Sequence, residues 1–108
     1  MISRLAFAAL AIVLASPAGP RDPSAARERA RGVLKSAHCD ACHDSGVSAD
    51  NRAALAVYDL VEPRWPARMS DAQLPKLLTR LKSAPAADQK TVREFIALEL
   101  KEREAERR

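Results

Sequence analysis

Cys39 and Cys42 are the only cysteines in the chain, and they stand in the run Cys39-Asp40-Ala41-Cys42-His43. The pattern is C-x-x-C-H, the attachment sequence for a covalently bound c-type haem. Its spacing has a chemical reason. Two thiols three positions apart can each add to one of the two vinyl groups on a single porphyrin edge. A histidine directly after them can offer an imidazole nitrogen to the iron, with a second axial ligand tuning the potential. Neither thiol is left over for a disulfide elsewhere.

The size of the chain makes such an attachment matter. Met1 to Arg4 is a short basic start, Leu5 to Ala15 is an unbroken apolar run, and Ser16 to Gly19 is a small-residue exit. Residues 1–18 therefore read as a cleaved export signal, too short in its apolar part to span a bilayer comfortably. An uncleaved N-terminal anchor is the alternative; with cleavage, no transmembrane span is expected in the mature form. Export to the periplasm agrees with the motif, because haem attachment and persistent disulfides both belong outside the cytosol. Residues 19–108 then form a single domain whose apolar core is marginal without a staple or cofactor. Tyr58, Trp65 and Phe95 are its only aromatics. A porphyrin would supply the large apolar body that these residues lack. The net charge of +4 comes with no basic block interleaved with aromatics, so nucleic acid is not an expected partner.

Periodicity predicts an all-α domain. Ser24 is a candidate N-cap for a first helix with Ala26, Ala30, Val33, Leu34 and Ala37 inward, and with Arg27, Glu28, Arg31 and Lys35 on its polar side. That helix delivers the chain into Cys39. Gly32 inside it implies either close approach by another element or a weakened, solvated turn. Asp44 to Asn51 reads as a loop, followed by a short helix through Tyr58, and two prolines make Glu62 to Pro66 irregular. Ser70 to Gln73 matches a capping box ahead of Leu74, Leu77, Leu78 and Leu81, although Pro75 conflicts with a regular first turn. A last helix runs from about Ala86, burying Val92, Phe95, Ile96 and Leu100, with a charged final turn expected to fray.

Each candidate site residue also has an alternative reading. Cys39 and Cys42 could form a disulfide with His43 on the surface, or join His43 and His38 around zinc, although structural zinc sites gather ligands from two separated clusters. His38 is expected to face solvent or a propionate. Met69 is the only methionine beyond Met1. It is a candidate distal iron ligand, and equally a hydrophobic staple or gap-filler before the Ser70 cap. Without it the iron would be five-coordinate or would take Lys76, Lys82 or a partner's residue. Tyr58, Trp65, Arg64 and Arg68 are candidates for propionate contacts, against core packing for the first two and surface solvation for the arginines.

With a helix leading into Cys39-Asp40-Ala41-Cys42-His43 and amphipathic helices following, the chain resembles the small single-haem c-type cytochromes of bacteria, in their class I arrangement. Leu34, five residues ahead of Cys39, sits where those proteins carry an apolar residue near the haem. The run Met69 to Leu81 is similar to the helix start that follows their distal-ligand loop, except that their methionine stands several residues ahead of the helix and here Met69 abuts the cap. The resemblance implies a small cytochrome c-like domain in which the N- and C-terminal helices cross beside one covalent haem c and its iron. Cys39 and Cys42 would hold the porphyrin, His43 would be the proximal ligand and Met69 the distal one. The expected role is outer-sphere electron transfer between a redox donor and an acceptor protein, alone or as a subunit of a larger redox complex, with no catalysis. The alternatives are a haem-based sensor or ligand-binding module, and a haem-free exported dithiol or interaction domain.

Overall fold

The computed structural model describes residues 22–108, and the expected signal over residues 1–18 lies outside them. Five helices follow in order: α1 Pro23–Ser36, α2 Asp40–His43, α3 Arg52–Val57, α4 Lys76–Arg80 and α5 Ala86–Glu106. No strand occurs among the described residues, in keeping with the all-α expectation. No helix there is long and apolar enough to cross a membrane.

Helix α1 begins one residue before its expected cap. The Asp22 carboxylate accepts from the Ser24 N–H at 3.0 Å, and Pro23 takes the first helical position, where a missing N–H costs nothing. Ala26, Ala30, Val33 and Leu34 turn inward as predicted, whereas Ala37 is an exposed C-cap. Small side chains at Ala26 and Ala30 allow the long helix α5 to lie along α1, with Val92, Phe95 and Ile96 buried on its inner side. Gly32 is exposed, and a Cβ added there would meet nothing within 4 Å, so the solvated reading of that glycine is the correct one.

Arg27 departs from the polar face assigned to it. It is buried, its Nε donates to Glu99 Oε1 at 2.8 Å, and its Nη2 reaches Glu102. Burial by itself would lower the guanidinium's pKa, but Glu99 and Glu102 outweigh that and raise it, so the group stays charged. Glu99 is buried in turn, where Leu100 was expected to complete the inner face and is only half-buried.

Trp65 fills the centre from the irregular segment between the prolines. Its ring lies 5.0 Å from that of Phe95 and 5.5 Å from that of Tyr58, and its Nε1–H donates to the Arg27 carbonyl at 3.2 Å. Helix α3, capped by the Asn51 side chain, stops at Val57 instead of running through Tyr58. The capping box forms: Gln73 N–H donates to Ser70 Oγ at 3.1 Å and Ser70 N–H to Gln73 Oε1 at 2.8 Å. Turns then persist until Pro75, and regular helix starts at Lys76, where proline no longer removes a needed donor. Helix α5 stays helical to Glu106 instead of fraying, with Arg107 paired to Glu104 and Asp71.

Leu34 has no exposed surface, so Leu34→Ala should cost about 2–5 kcal/mol through lost transfer energy and a residual cavity. A urea titration of variant and parent measures this; a change under about 1 kcal/mol would mean the site collapses freely.

Candidate functional site

The end of α1 launches the C-x-x-C-H stretch. Cys39 N–H donates to the Leu34 carbonyl at 2.9 Å and His38 N–H to the Lys35 carbonyl at 3.0 Å. This is the paired bonding of a Schellman turn, whose central residue must be left-handed. His38 occupies it with φ of 66°, at a cost of about 1–2 kcal/mol for a residue carrying a Cβ. The chain then reverses direction and begins α2. His43 N–H donates to the Cys39 carbonyl at 3.0 Å, closing one helical turn. Positions i, i+3 and i+4 share a face in such a turn, so Cys39, Cys42 and His43 come together on one side.

All three line one cleft of about 410 Å³. Met69 lines it as well, 4 % exposed. Val57 and Leu77 add apolar lining, and His38, Gln73, Lys76 and Arg80 contribute polar groups. Cys39 is half-buried against the core, Cys42 is exposed, and both are free thiols.

Tyr58 fixes two of the three motif side chains. Its carbonyl lies 3.1 Å from His43 Nδ1; a carbonyl only accepts, so Nδ1 is the donor, and in the neutral ring this tautomer leaves the lone pair on Nε2. Its ring stacks on the imidazole at 3.8 Å and 8°. Its hydroxyl hydrogen-bonds the Cys39 sulfur. Burial pushes the Cys39 thiol up despite that bond, and burial, with Cys39 adding to it, pushes the Tyr58 phenol up as well. Both groups are therefore protonated at neutral pH. The backbone beyond Tyr58 completes the grip, with Leu60 N–H donating to the His43 carbonyl at 2.7 Å.

Asp59 ties down the loop after the motif. Its Oδ1 accepts from Ser45 N–H and from Val61 N–H, each at 3.1 Å. Burial would raise its pKa, but the amide donors outweigh burial and hold the carboxyl below its usual value.

The structure thus brings Cys39, Cys42, His43 and Met69 to one cleft, with His38 and Lys76 beside them. Arg64 and Arg68 pair instead with Glu102 at 3.9 Å and Glu62 at 2.6 Å, Trp65 belongs to the core, and Lys82 does not line the cleft. Among the described residues, no group of three His, Cys, Asp or Glu is placed to hold a metal ion, so Cys39, Cys42, His43 and His38 are not assembled as a zinc site. Sequence reasoning missed the carbonyl and hydroxyl roles of Tyr58, the Asp59 clasp, and Gln73 and Arg80. Their signals are backbone groups or ordinary polar residues with no distinguishing spacing. Searches against family models, curated proteins and solved structures find no match for this chain.

Asp59→Ala should cost about 1–3 kcal/mol at neutral pH by leaving two amides without their acceptor. Because the native carboxyl is held below its unfolded value of about 3.9, this contribution is complete above that value and fades as pH falls through the native pKa. Denaturant titrations of both proteins from pH 7 down to pH 3 should show the gap closing at the acid end. A gap independent of pH would remove the charge on Asp59 from the account.

Proposed function

We propose that the chain is an exported c-type cytochrome carrying one covalent haem, and that it passes single electrons between redox proteins. The observation that carries this reading is the presentation of Cys39, Cys42 and His43 on one face of one helical turn, lining one cleft. Two free thiols and an imidazole with an available Nε2 are the donor set that thioether attachment and proximal ligation require. The hydrogen bond from Nδ1 to the Tyr58 carbonyl supports it further, because such an outer contact fixes the tautomer and the ring orientation of an iron-ligating histidine. Val57, Leu77 and Met69 suit an apolar macrocycle, and Lys76 and Arg80 suit its carboxylates.

Bound haem would supply a one-electron couple. The chain's own residues do the rest. Cys39 and Cys42 would hold the group by thioether bonds, His43 would offer Nε2, and Met69, which lines the same cleft, would offer a thioether. Tyr58, protonated at neutral pH, keeps the Cys39 sulfur and the His43 ring in place without adding charge.

The test is protein expressed with a c-type maturation system, subjected to acid–acetone extraction and then examined in alkaline pyridine. Haem that stays with the polypeptide, with the absorption of saturated vinyl groups, is expected. Two alkylatable thiols and no haem adduct by mass spectrometry would return the chain to the dithiol reading. Met69→Ala should lower the midpoint potential and abolish the sulfur-to-iron absorption band, since a thioether ligand raises the potential. An unchanged spectrum would take Met69 out of the ligand set. Rapid stoichiometric carbon monoxide binding by the reduced parent would favour the sensor reading instead.

A further inference from the structure

Met69 lies in a stretch that forms no regular helix, and one side chain from a distant helix holds it. Arg103 of α5 sends Nη1 to the Met69 carbonyl at 2.7 Å and Nη2 to the Pro66 carbonyl at 2.8 Å. The same Nη1 reaches Asp71 Oδ1 at 3.0 Å. One guanidinium therefore spans residues 66 to 71 and grips Met69 by its own backbone. Pro66 is fully buried and its carbonyl also accepts from Met69 N–H at 3.0 Å, so Arg103 closes the turn that presents Met69.

Arg103 is itself fixed. Its Nε stands 3.7 Å from Glu99 Oε2, and the other oxygen of that carboxylate takes the Arg27 bond from α1. The line runs from α1 through a buried carboxylate to the Met69 backbone. Two carbonyls met at once by one planar fork is a geometry that lysine, with a single ammonium, does not reproduce.

We infer that Arg103 is a positioning residue for the Met69 thioether, clamping the turn from Pro66 to Asp71 so that Met69 stays in the lining of the cleft that His43 also lines. This rests on the proposed haem reading and concerns the axial ligand alone. Arg103 touches neither thiol, so the clamp sets ligation and not attachment.

The experiment compares parent, Arg103→Lys and Arg103→Gln as full chains with haem attached, using Asp71→Asn as control. The control loses exposed ion pairs and keeps both carbonyl contacts. In the Arg103 variants, exchange of the Met69 amide, which donates to the Pro66 carbonyl within this turn, should accelerate at least about tenfold, the factor that one lost 1.4 kcal/mol constraint gives. The sulfur-to-iron band should weaken, and the reduced protein should gain carbon monoxide binding. Arg103→Lys should lie between parent and Arg103→Gln, and Asp71→Asn should match the parent in band and carbon monoxide response.

Faster exchange with band and carbon monoxide response unchanged would make Arg103 a purely structural residue and overturn the inference. Unchanged exchange would overturn it directly. A parent that carries haem but shows no sulfur-to-iron band would overturn it through its premise and leave haem attachment standing. A parent with no covalent haem at all would instead overturn the proposed function.

Discussion

The hydrogen bond from Cys39 N–H to the Leu34 carbonyl is where the core of this protein meets its site. Leu34 has no exposed surface, and its carbonyl is one of the orphan acceptors at the end of α1. Satisfying it from Cys39 forces the left-handed residue at His38, and the chain then turns directly into α2. Because α2 is a single turn, it has little stability of its own. It is held by what surrounds it: the Schellman bonds on one side, and Tyr58 and Leu60 on the other. The two thiols and the imidazole share a face because these backbone bonds leave the turn no other register.

A second constraint comes from charge. Burying Glu99 between Arg27 and Arg103 requires each ion to give up water, at several kcal/mol apiece, and the Coulomb attraction returns little more than that. The network therefore adds little net stability. Its effect is to specify register. Sliding α5 by one turn against α1 would part Arg27 from Glu99 and leave that buried carboxylate without its partner from α1. The apolar contacts of Val92, Phe95 and Ile96 are less selective. Directional charge contacts fix which of the similar apolar packings is used, and through Arg103 they also fix the turn that holds Met69.

What could be read from the residues in advance follows the range of each interaction. The Ser70–Gln73 capping box acts within one turn, so spacing alone describes it, and it appears as expected; the C-x-x-C-H residues likewise lie within one turn and line one cleft. The all-α outcome and four of the five helices follow from apolar periodicity, although Pro75 delays α4 and Tyr58 ends α3; α2, with no buried residue, carries no such signal. Tyr58 is extended, with φ of −161° and ψ of 154°, because its ring and carbonyl both turn to His43, a partner whose pull has no signature in the local sequence. Arg27 was misplaced for a related reason. An arginine is polar by type, and nothing near it in the chain announces a buried carboxylate 72 residues away. The Asp59 clasp joins side chain to backbone amides, and amides are the same at every position.

These ranges divide the cleft into two parts with different sensitivities. The cysteine and histidine side is built from contacts at Leu34, Lys35 and Cys39, with Tyr58 and Leu60 close behind in sequence. A fold that keeps α1 and the segment after α3 keeps that side. The Met69 side depends on α5, reached across 34 residues by one guanidinium. A substitution at Arg103 therefore removes contacts to the Met69 turn and none of those described for the thiols or the imidazole. Under the proposed function this separation would have a use, because attachment must be secure whereas an axial ligand tunes the potential. Under that function, attachment would rest on the end of α1 and on α2, and the axial ligand on the contact from α5.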